Sequence, residues 1–104
     1  MNVPSMNEFA RYLRSFAPWE SCGVAEIPCH CPIAKWLNNV YPFNGPIAVD
    51  LDTIKIGIDE IDAPLWVFEV ARRIDASADC TGAEITASQA MAIVNYVIGE
   101  IGDE

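Results

Sequence analysis

Midway along the chain the hydrophobic period changes. In "PIAVDLDTIKIGID", Ile47, Val49 and Leu51 alternate with Ala48 and Asp50. Beyond Asp52, Ile54, Ile56 and Ile58 alternate with Thr53, Lys55 and Gly57. Successive side chains of a strand point to opposite faces, so period two on both arms of a polar bend predicts a β-hairpin. Such a hairpin is marginal in water by itself, and its isoleucine face has to be covered by something else. The segments on either side read as helix, so the hairpin commits the chain to an α+β domain.

The first helix is announced by Ser5 and Glu8, spaced as a capping box. Met6, Phe9, Ala10, Leu13, Phe16 and Ala17 then recur at helical steps, which predicts a helix over 6–17 stopped by Pro18. Residues 18–30 contain Pro18, Gly23 and Pro28 without a steady period, and read as an irregular loop. Trp19, Val24 and Ile27 of this loop are expected to fold back onto the core. Pro32 suits a first helical position and opens a second helix, with Ile33, Trp36, Leu37 and Val40 inward. "NNVYPFNGP" closes that helix with turn residues.

After the hairpin, "APLWVFEVARRIDAS" is apolar around most of a helix, leaving a polar stripe at Glu69, Arg72 and Arg73. That pattern marks the buried centre of a domain, and Glu69 can pair with Arg73 one turn on. A polar loop, "DASADCTG", leads to Thr86 and Gln89, a second capping-box spacing. The last helix runs to about 101, with Ala90, Met91, Val94, Val97, Ile98 and Ile101 on its core face. The expected order is α-α-β-β-α-α, one domain over 1–104, the hairpin lying against about four helices.

Composition narrows the function classes. Apolar residues are 52% of the 104 and charged residues 20%, a balance incompatible with disorder. The N-terminal "MNVPSMNEFARYL" has no basic stretch followed by an apolar run, so no secretory signal is read. The longest apolar segment is broken by Ser88, Gln89, Asn95 and Glu100, and falls short of a membrane span. The expectation is a soluble cytoplasmic protein with reduced cysteines and no cofactor. The net charge of −9 is uneven: residues 1–45 are balanced, whereas 46–104 set twelve carboxylates against Lys55, Arg72 and Arg73. Such a field repels phosphate backbones, arguing against direct nucleic-acid binding and permitting a basic protein partner.

"ESCGVAEIPCHCPIAKWL" holds three of the four cysteines and the only histidine. Cys22, Cys29, His30 and Cys31 are the ligand types and number of a structural zinc site. Their spacing is unlike zinc pairs, and adjacent residues in extended chain aim apart. A redox reading rests on Cys31 at the N-cap of the second helix, where backbone amides stabilise a thiolate, with Cys29 as resolving thiol. No C-x-x-C motif is present, and a C-x-C disulfide would be strained. The third reading is that these cysteines are small apolar fillers in a proline-bracketed lead-in, and base rates of cysteine burial favour it. A cysteine–histidine dyad is disfavoured because the histidine directly adjoins the cysteines.

The acidic residues Asp50, Asp52, Asp59, Glu60 and Asp62 surround the hairpin. They do not follow calcium-loop spacing, and "DASADCTGAEIT" matches it only in part, with Cys80 in the glycine place. As a surface they fit a basic partner, including inhibition by imitating a nucleic-acid backbone, or simply a solvated hairpin edge. On the last helix, Ser88, Ala92, Asn95 and Gly99 form a small uncharged stripe opposite the core face. Such a stripe allows close helix approach, as the seam of a homodimer or against the protein's own chain. No phosphate loop, G-x-S-x-G or H-E-x-x-H occurs. The reading is a non-enzymatic domain acting through protein contacts, with a thiol-based redox or zinc-dependent regulator centred on Cys29, His30 and Cys31 as the alternative.

Overall fold

The helix starts are written in side chains. Ser5 Oγ accepts from Glu8 N while the Glu8 carboxylate accepts from Ser5 N, the reciprocal pair that opens α1 (Met6–Leu13). Cys31 and Pro32 open α2 (Pro32–Val40), and Thr86 with Gln89 repeats the reciprocal cap at α4 (Ala87–Ile101). Pro64 precedes α3 (Leu65–Ser77) without a side-chain cap. The computed structural model describes residues 3–41 and 46–102. The rest of the described chain adds β1 (Ser21–Val24), β2 (Ile47–Asp50), β3 (Thr53–Ile56), β4 (Asp59–Asp62) and β5 (Glu84–Thr86). The class is α+β, with four helices and two antiparallel sheets among the described residues.

The hairpin is present, with arms shorter than their alternation implied and a third strand added to it. β2 pairs with β3 from Ile47↔Ile56 to Asp50↔Thr53, and β3 pairs in turn with β4 from Ile56↔Asp59 to Thr53↔Asp62. The isoleucine arm therefore ends at Ile56. Gly57 and Ile58 form a two-residue turn, and Ile58 is fully exposed rather than inward. Leu51 likewise sits in the β2–β3 turn, at φ +48°, and is exposed. The second sheet joins β1 to β5, with an irregularity between Ser21 and Gly23.

Three further expectations need correction. α1 stops at Leu13, well before Pro18: the Tyr12 carbonyl accepts from both Ser15 N and Ser15 Oγ, which tightens the chain into a turn. Residues 21–24 are a strand, and Trp19 is 79% exposed instead of folded back, while Val24 and Ile27 are half-buried. The Trp19 turn is held from behind, since Ser88 N donates to Pro18 O and Ala87 N to Glu20 O. Val40, at the end of α2, is exposed. Of "NNVYPFNGP", residues 42–45 lie outside the described residues.

The core forms where these faces meet. Phe9, Trp36 and Trp66 pack ring on ring across α1, α2 and α3, with centroids 5.1 to 5.8 Å apart. Ile47, Val49 and Ile54 of the three-stranded sheet close the same core, and α2 packs on β2. α3 is not wholly enclosed: Trp66, Val67, Val70, Ala71 and Ile74 are buried, but Leu65 is exposed. Arg73 fastens α3 to α4, bonding Glu69 (3.4 Å) and Glu100 (2.6 Å) while lying 4.5 Å from the Tyr96 ring centre.

Candidate functional site

The cysteine segment is built around one glycine. β1 passes so close to the start of α2 that a Cβ on Gly23 would lie 2.6 Å from Pro32 N. Val24 N donates to His30 O, and His30 N to Ile27 O, so residues 27–30 form a turn laid against β1. This turn separates the four candidate ligands. Cys29 and His30 face solvent, whereas Cys31 is buried. Cys22 is buried too, its thiol donating to Ile85 O at 3.4 Å and tying β1 to β5. Among the described residues no group of three or more His, Cys, Asp or Glu could hold a metal ion. Cys22, Cys29, His30 and Cys31 are thus not gathered into a zinc site.

Cys31 does occupy the N-cap of α2, its sulfur accepting from Ala34 N at 3.4 Å. The electrostatic outcome is the reverse of the expected activation. Burial pushes its thiol up to about 11, and the Ala34 and Ile33 amides lower it too little to offset that. Cys22 is likewise pushed up to about 11, chiefly by burial. Both are protonated thiols at neutral pH, and all four cysteines are free.

The five acidic residues divide by face. Alternation along the register places Asp50, Glu60 and Asp62 on the outer face of the three-stranded sheet, around Lys55. Lys55 Nζ reaches Asp50 at 3.9 Å. Asp52 occupies the β2–β3 turn, and Asp59, opposite Ile56, belongs to the other face at the exposed sheet edge. On α4, Ser88, Ala92, Asn95 and Gly99 are all exposed, and nothing lies within 4 Å of a Cβ placed on Gly99. Among the described residues no element covers this stripe. Grooves flank it: Leu13, Phe16 and Pro18 border one side, Arg73, Ala76 and Tyr96 the other.

A fourth feature was not legible as a site. A cleft of about 250 Å³ opens between the turn at 26–28, the end of β2 and the last turns of α3. Cys31 lies on its wall, and Glu26, Asp50 and Asp75 stand around it. Asp75 Oδ1 accepts from Glu26 N at 3.0 Å, while Glu26 Oε2 accepts from Thr81 Oγ1 at 3.1 Å. Burial, assisted by the Glu26 carboxylate, raises the Asp75 carboxyl above its ordinary value. In the sequence Asp75 is only the first residue of a degenerate calcium-like loop, and Glu26 belongs to no motif. The sole advance signal was the irregularity of residues 18–30.

Comparison with protein-family models, curated proteins and solved structures finds no match. No helix among the described residues is long and apolar enough to cross a membrane.

Proposed function

We propose that the protein is a non-enzymatic interaction domain that self-associates through α4 and offers the acidic face of its three-stranded sheet to a basic partner protein. The observation that carries this reading is the uncovered outer face of α4. Ser88, Ala92, Asn95 and Gly99 place no charge there, although the chain as a whole carries −9. Like-charged protomers repel least where they bring uncharged surfaces together, and small side chains let two helices approach closely. The exposed ring of Tyr96 stands beside this face, in the groove it shares with Ala92, and aromatic residues are enriched in protein interfaces. The acidic half of the reading draws on Asp50, Glu60 and Asp62 sharing one sheet face, with Asp52 and Asp59 at its margins.

Light scattering on the eluting size-exclusion peak tests the self-association. The expected result is a dimer that Asn95→Arg converts to a folded monomer, because the substitution sets two cations against each other across a two-fold seam. A monomeric protein indifferent to Asn95→Arg overturns it.

A further inference from the structure

The cleft beside Cys31 has a composition that selects its ligand. Its inner surface is apolar, formed by Ile33 of α2, Val49 of β2, and Ala71 and Ile74 of α3. The charged groups that line it are Glu26, Asp50 and Asp75, and no basic side chain is among them. Its walls are held together. Glu26 N donates to Asp75 on α3, and Val49 N donates to Pro28 O at 2.9 Å, so the 26–28 turn is fixed to both neighbours. A concavity tied in this way needs little ordering when a ligand enters, which favours binding.

Each ligand class can be weighed against that lining. An anion would meet three carboxylates. A wholly apolar ligand would leave the Glu26 and Asp75 carboxylates that line the cleft without a counter-charge. A bare metal ion needs several converging donors, and no such group occurs among the described residues. The volume, about 250 Å³, lies below the ~300–1,000 Å³ of pockets for drug-sized ligands, so the occupant is small. Asp50 already has Lys55 nearby, at 3.9 Å, whereas among the described residues no basic group pairs with Glu26 or Asp75.

We infer that this cleft is a binding site for a small primary amine, its ammonium held between Glu26 and Asp75 and its hydrocarbon body resting on Ile33, Val49, Ala71 and Ile74. The assignment is independent of the α4 surface and stands or falls separately from it.

Hexylammonium is the probe, with hexanoate and 1-hexanol as matched controls, followed by amide chemical shifts of the full chain. Hexylammonium should shift residues 26–31, 49–51 and 71–75, and both controls should bind at least about ten-fold more weakly, because they lack the charge-assisted hydrogen bonds. Asp75→Asn keeps an oxygen to accept from Glu26 N and should weaken hexylammonium by about ten-fold. Glu26→Gln should do the same from the opposite lip. Asp59→Asn removes the same charge at the sheet edge and should leave the affinity unchanged. Equal binding of hexanoate, shifts scattered away from the cleft, or equal losses with Asp75→Asn and Asp59→Asn would each overturn the assignment.

Discussion

At Gly23 the approach of β1 to α2 is closer than any other side chain allows. A Cβ there would stand 2.6 Å from Pro32 N and 2.9 Å from both Cys31 C and His30 O. These are backbone atoms, so relief requires moving the start of α2 or the strand that pairs with β5. Gly23→Ala should cost about 3 kcal/mol, the upper part of the overpacking range, read as a lower urea midpoint. The neighbouring thiols make a different prediction. Cys22 and Cys31 are raised from 9.0 to about 11 in the folded protein, so the native state keeps its protons longer than the unfolded chain. Their stabilising effect is complete below pH 9 and is lost as the pH rises towards 11. Tyr12, also raised by burial, adds to the loss with the same sign. Urea midpoints measured across that window should fall, and Cys31→Ser, which retains a capping oxygen, should flatten the fall.

Among the elements, those that end in side-chain chemistry were the most legible. Ser5 with Glu8 and Thr86 with Gln89 mark their helix starts to the residue, because the cap bonds are local and need only the right spacing. Thr86→Ala should therefore lower stability by about 1 kcal/mol, visible as a shifted thermal midpoint. β4 escaped because "DEID" has a single apolar residue, Ile61, and its pairing with β3 is fixed by the Gly57–Ile58 turn. Ile58 looked like the next inward residue of an arm when it is the tip of that turn. β1 and β5 escaped for another reason. They are four and three residues long, and each finds its partner at the opposite end of the chain. Periodicity within a short window cannot report pairing of that range. The candidate site shows the same division: the Cys31 cap was readable, whereas the partnership of Glu26 with Asp75 spans 49 residues and was not.

At the scale of the whole molecule, the −9 charge is carried on a small body with a radius of gyration of 12.4 Å. The ion pairs among the described residues engage Lys55, Arg72 and Arg73, so they leave most of the carboxylates of residues 46–104 unneutralised. Self-repulsion of that kind weakens the folded state and is screened by salt. Raising NaCl from about 10 to about 300 mM, which shortens the screening length several-fold, should raise the thermal midpoint. A midpoint that falls would mean that attractive pairs outweigh the repulsion. The β1–β5 ladder has one more consequence, and it concerns time. Cys22 and Ile85 are 63 residues apart, whereas β2, β3 and β4 find one another through two-residue turns. A ribosome releases the chain from its N-terminus, at about 5–20 residues per second. The three-stranded sheet can therefore assemble while β1 waits several seconds for its partner. During that wait the backbone of residues 21–24 is an open edge, and the last strand to be made is the one that closes the fold.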